Sequence, residues 1–127
     1  MNIASYSGYF HDGYVNHISF IDNDIYFSLE SSEIEDLDEV ADKSLLADSN
    51  SLRGVLKLSR VESVKVSNNK QLENFIKEYD DGDILDLKIY KDKIFLLIEW
   101  KNFPPKSSKT EVCKIEIEAR SIEWIPE

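Results

Sequence analysis

The chain has 127 residues and a mass of 14.7 kDa, enough to bury the core of one domain without disulfides or metal. Fifteen basic residues stand against 25 acidic ones, and the net charge of −10 opposes the phosphate backbone of nucleic acid, so direct nucleic-acid binding is not expected. The longest unbroken apolar run, Ile94 to Ile98, is too short to cross a bilayer, so no membrane association is expected, and Cys113, the one cysteine, points to a reduced, cytoplasmic setting.

The opening "MNIASYSGYF" lacks the basic region and continuous apolar stretch of a signal peptide. It leads into "FHDGYVNH", residues 10 to 17, which holds both histidines of the chain. From Tyr14 the residues alternate, with Tyr14, Asn16, Ile18 and Phe20 on one face and Val15, His17 and Ser19 on the other, as in a strand. The turn formers "IDND" then lead to a second alternating run, Ile25, Phe27 and Leu29, which completes a hairpin.

An acidic stretch from Glu30 to Asp48 follows, with Lys43 its one base. Ser32 and Glu35 form a possible capping box, and Ile34, Leu37 and Ala41 would line one face of a short acidic helix. Residues 52 to 66 make a third strand, whose change of phase from Leu56 and Leu58 to Val61, Val64 and Val66 predicts a bulge or bend. Leu72, Phe75, Ile76 and Tyr79 predict a helix over 70–79, with Asn68 and Gln71 placed to cap it. "ILDLKIY" and "IFLLIEW" form another hairpin, and the second of these strands is apolar on both faces, which predicts a cover such as the helix. The prolines and serines of 101–110 read as a loop before a last strand that turns Cys113, Ile115 and Ile117 inward.

Residues 10 to 31 align without a gap on residues 79 to 100, matching Asp12 with Asp81, Gly13 with Gly82, Ile25 with Ile94 and Glu30 with Glu99. The expected fold is therefore a single α+β domain, mainly antiparallel sheet, built from two related hairpin-plus-strand halves at about 10–66 and 79–125. In both copies Asp-Gly precedes a strand, so Asp12, Gly13, Asp81 and Gly82 are read as turn residues, with the glycines taking a positive φ. The second copy replaces His11 and His17 by Asp80 and Asp86, so the fold itself does not require imidazole there.

Two histidines cannot supply the three protein ligands usual at catalytic zinc without carboxylates, so neither metal nor another cofactor is expected, and His11 is left with an uncertain role. Cys113 falls on an inward strand position, where a thiol is a small apolar side chain, and no glycine-rich phosphate loop is present. The expectation is a protein that is not an enzyme. The acidic groups Glu33, Glu35, Asp36, Asp38, Glu39 and Asp42 suit a docking surface for a basic protein, with Tyr6 and Tyr9 as aromatic anchors. A metal-assisted hydrolase using His11 and Asp12 is the competing reading, and a structural protein that self-associates through sheet edges is a third.

"FHDGYVNHI", "LRGVLKLSRVESV", "DILDLKIYKDKIFLLIEW" and "KIEIEARSIEWI" together resemble a group of small bacterial proteins that begin with Phe-His-Asp before a strand hairpin. Some of that group are immunity proteins of polymorphic toxin systems. Phe10, His11 and Asp12 match as a literal motif, and the long acidic insert after the first hairpin departs from the group's pattern. The resemblance implies a non-enzymatic inhibitor that binds and blocks a cognate protein toxin.

Overall fold

Six strands, β1 (Tyr14–Ile21), β2 (Asp24–Glu30), β3 (Arg53–Val66), β4 (Asp81–Ile89), β5 (Lys93–Lys101) and β6 (Thr110–Pro126), form the sheet in the computed structural model, which describes residues 3–35, 46–47 and 50–127. They close into an antiparallel barrel in the order β1-β2-β3-β6-β5-β4. A 3-10 helix spans Ile3–Phe10, and helix α1 spans Leu72–Glu78. The expected α+β class, dominated by antiparallel sheet, is what the chain adopts.

Local alternation builds the two hairpins, but long-range pairing closes the barrel. β3 and β6 run alongside each other from Gly54–Pro126 to Val66–Ile115. The other seam is short, with only Tyr14–Asp83 and Val15–Gly82 paired between β1 and β4. The interior is filled by inward side chains, among them Phe27, Leu56, Leu58, Ile84, Ile94, Ile98 and Ile115, as expected of so narrow a barrel. Helix α1 contributes Leu72 and Phe75, with Phe75 stacked on the inward Trp100 at 5.6 Å between ring centroids.

The two hairpins share one register. β1–β2 pairs Tyr14 with Glu30, Ile18 with Phe27 and Phe20 with Ile25, while β4–β5 pairs Asp83 with Glu99, Leu87 with Leu96 and Ile89 with Ile94. Each position in the first precedes its counterpart by 69 residues, as Tyr14 precedes Asp83. The register breaks between Val15 and His17 in one hairpin and between Ile84 and Asp86 in the other, again at matching positions.

These bulges overturn the simple alternation expected of β1. The extra residue at Asn16 shifts the phase, so the inward pair is Val15 and Ile18, not Asn16 and Ile18. The bulge expected in β3 lies between Val61 and Ser63, and Arg60 beside it has φ 54°. The helix is shorter than 70–79; Gln71 does stand at its N-cap, but neither predicted residue caps it through a side chain. Gln71 makes no side-chain cap bond, and the Asn68 amide donates instead to Glu111 Oε2 and the Val112 carbonyl on β6. No described helix covers the outer face of β5 at Phe95, which is exposed and meets Tyr90 edge to face at 5.8 Å, because α1 packs against the inward Trp100 instead. No described helix is long and apolar enough to cross a membrane.

Candidate interaction surface

The N-terminal 3-10 helix presents the first of the expected site residues. Ile3 and Phe10 anchor it in the core, where Phe10 meets Trp124 edge to face at 5.5 Å. Tyr6 and Tyr9 are half-buried, pack on that core, and stack on each other at 6.2 Å with their planes 25° apart. Their spacing on the short helix sets this pair.

The turn after Phe10 differs from the expected one. Asp12, not Gly13, takes the left-handed conformation, with φ 65°. Asp is among the few residues that visit this region routinely. Gly13 is needed for close approach, since a Cβ there would sit within contact distance of the Glu30 carbonyl and 3.0 Å from that of Phe10. Asp81 and Gly82 are not turn residues at all. Both lie in β4, where Gly82 pairs with Trp100 and Val15, and a side chain at 82 would press on the Trp100 ring.

His11 Nδ1 donates to the Leu85 carbonyl at the bulge of β4, which fixes the proton on that nitrogen. Its Nε2 lies 3.7 Å from Asp12 Oδ2, beyond hydrogen-bond length. The imidazole thus ties the turn to β4. His17 is exposed on β1, on the face opposite Ile18. Among the described residues no three His, Cys, Asp or Glu are grouped to hold a metal ion.

The acidic stretch begins from a tethered segment. The Ser31 hydroxyl accepts from the Leu52 amide at 2.8 Å, and the Ser32 hydroxyl and amide both donate to the Tyr9 carbonyl, at 3.1 and 3.2 Å. Ser32 therefore caps no helix, which corrects the capping-box reading. The Ile34 amide donates to the Asn50 carbonyl and its side chain is buried, while Glu33 and Glu35 on either side are exposed. Alternation in an extended segment turns both carboxylates outward, next to the helix that carries Tyr6 and Tyr9. Asp36, Asp38, Glu39 and Asp42, and the short acidic helix expected there, lie outside the described residues.

A polar cluster that the sequence reading missed joins α1 to β6. Glu111 accepts from Lys70 at 2.7 Å, from the Tyr79 hydroxyl at 2.7 Å and from Asn68 at 3.0 Å. Lys109 and Lys70 both reach Glu78, at 2.6 and 3.3 Å. Hydrogen bonds from Lys70 and then Tyr79 hold the Glu111 carboxyl below its usual range, and those from Lys109 and Lys70 do the same for Glu78. Burial, with Glu111 alongside, pushes the Tyr79 hydroxyl up. Every group has a partner, so the cluster reads as a latch. Its members are 41 residues apart in sequence at the Lys70–Glu111 pair, which is why no local motif announces it.

Cys113 is buried and accepts the Trp100 indole N–H at 3.1 Å. Burial pushes the thiol up, away from the reactive thiolate. No family model matches the chain, and no curated protein or solved structure is significantly similar to it.

Proposed function

We propose that this chain is a non-enzymatic binding domain that docks on a basic protein and inhibits it, with the acidic segment and the Tyr6–Tyr9 pair as its docking surface. One observation carries the reading: the Ser32–Tyr9 hydrogen bonds hold the root of the acidic stretch against the helix that bears the stacked tyrosines. Aromatic anchors flanked by carboxylates supply the two ingredients of such an interface. The rings contribute most of the binding energy, and the charges set encounter rate and partner choice.

The occupied state of the reactive side chains supports the non-enzymatic part. The His11 proton is committed to Leu85, and the Cys113 thiol is buried under Trp100. A cytoplasmic inhibitor of a protein toxin, as the resemblance to Phe-His-Asp immunity proteins implies, fits this surface. We also read the chain as two related hairpin-plus-strand halves, a reading supported by the matching registers and bulges of the two hairpins.

Affinity capture from the native host's lysate tests the proposal, with wild type compared with a variant carrying Glu35→Lys, Asp36→Lys, Asp38→Lys and Glu39→Lys. The expected result is a basic protein retained stoichiometrically by wild type and lost by the variant. Equal retention by both, or retention of an acidic protein, would overturn it.

A further inference from the structure

The short β1–β4 seam leaves the outer edges of both strands without a described strand partner beyond it, and that of β4 is flanked by the Ile3–Phe10 helix and its turn. Beyond Val15, β4 gives way to the chain leading back to α1, so the outer edge of β1 from Asn16 to Ile21 has no strand partner among the described residues. Helix α1 stands across from it and two clefts lie between them. One, of about 410 Å³, is bounded by Phe20 and Asp22 to Ile25, by Val61, Val64 and Val66 of β3, and by Lys70 to Glu73. The other, of about 190 Å³, is bounded by Val15 to Ile18 and by Ile76, Tyr79 and Asp80. The smaller lies along β1 from Val15 to Ile18 and the larger meets β1 at Phe20, and the six open residues of the strand span about 20 Å when extended.

On the β4 side the turn is bonded to the strand edge, the Asp12 amide donating to the Ile84 carbonyl and the Ile84 amide to the Gly13 carbonyl. His11 reaches across to the Leu85 carbonyl at the bulge of β4. The residue 69 positions later, Asp80, turns away: it accepts from the Phe103 amide and the Lys106 ammonium, both at 3.0 Å, and leaves the matching bulge at Asn16 untethered. The side-chain tether that His11 makes at Leu85 thus has no counterpart at Asn16 among the described residues.

The lining specifies the occupant. Asp22, Glu73 and Asp81 face the clefts with no cation paired to them among the described residues, whereas the one lysine there, Lys70, is already held by Glu111 and Glu78. Phe20, Val64 and Leu72 supply apolar floor in the larger cleft and Ile76 in the smaller. We propose that the groove between β1 and α1 receives an extended, lysine- or arginine-bearing segment of a partner protein, which adds as a strand to β1 and places alternate apolar side chains in the two clefts. This site is distinct from the Tyr6–Tyr9 surface and stands or falls separately from it.

The probe is the synthetic hexapeptide acetyl-Lys-Val-Arg-Val-Lys-Val-amide, followed through the backbone amide resonances of the full chain. The proposal expects shifts confined to the residues that line the groove, within 15–25, 61–66, 70–76 and 79–82, and slowed amide exchange along β1. It also expects at least tenfold weaker binding when alternate peptide amides are N-methylated, and several-fold weaker binding to an Asp22→Asn, Glu73→Gln variant. Equal binding by the N-methylated peptide would overturn strand addition, and shifts centred on Glu33, or no binding, would overturn the site. If the same β1 amides shift with protein concentration alone, the occupant is a second copy of this chain and the partner assignment is overturned.

Discussion

Gly13→Ala tests the geometry that joins the N-terminal turn to the barrel. The new methyl would meet the carbonyl of Glu30, that of Phe10 at 3.0 Å and the Ser31 Cα at 3.1 Å, all of them backbone. None can rotate aside as a side-chain tip would. Relief requires the turn to part from the end of β2, with Phe10 shifted from a fully buried position and the Ser32–Tyr9 bonds strained. Overpacking of this kind costs about 1–3 kcal/mol, and the rigid backbone contacts place Gly13→Ala toward the upper end. Gly8→Ala is the control, since nothing lies within 4 Å of a Cβ there and its φ is not positive. It should be neutral or stabilise by about 0.4–1 kcal/mol through the unfolded chain. Asp12→Gly removes the strain of φ 65° and should be close to neutral. Urea unfolding with a shared slope reads all three. A Gly13→Ala variant within about 0.5 kcal/mol of wild type would refute the close approach, because that is the range of an ordinary surface change.

The two tryptophans should respond unequally. Trp100 donates its indole N–H to Cys113, whereas the buried Trp124 N–H has no partner among the described residues, so Trp100→Phe should cost more than Trp124→Phe by about 1 kcal/mol in the same unfolding assay. For pH, Glu111, Glu78 and Asp80 are all held below their ordinary values in the folded chain. Their stabilisation is present above the unfolded carboxylate pKa, near 4, and is lost as pH falls through the folded values, so acid titration of stability should steepen below about pH 4. Glu111→Gln should flatten that slope. Lys70 and Lys109 are raised, so their share is present below about pH 10.4 and is lost as pH climbs through the folded values. Cys113 should resist a thiol reagent in the native protein and react fully in denaturant, and rapid native labelling would contradict its buried position.

The features legible in the sequence are those written by neighbours. Period-two alternation located both hairpins and the inward Cys113, Ile115 and Ile117, and the phase shift after Leu58 located the β3 bulge. The bulge at Asn16 escaped because one extra residue leaves no mark in a run already half polar, and the alternation expected for Tyr14 to Asn16 was out of phase as a result. Barrel closure escaped because it depends on β3–β6 and β1–β4 pairings between distant segments. The 3-10 helix carried a signal that went unused: Ile3, Tyr6 and Phe10 repeat the spacing of Leu72, Phe75 and Tyr79. Within the site, Tyr6, Tyr9, Glu33 and Glu35 could be nominated from residue type, but their neighbourhood could not. It depends on the Ser32–Tyr9 bonds, which join residues 23 apart.

Association kinetics of the captured protein test the central claim most directly. If an acidic surface steers a basic partner, the association rate measured by stopped flow should fall steeply as salt rises from 20 to 300 mM, on the order of tenfold or more, while the dissociation rate changes little. Reversal of Glu33 and Glu35 to Lys should lower the association rate at low salt and flatten that dependence. An association rate that ignores both salt and these two charges would contradict the account, whatever the affinity of the complex.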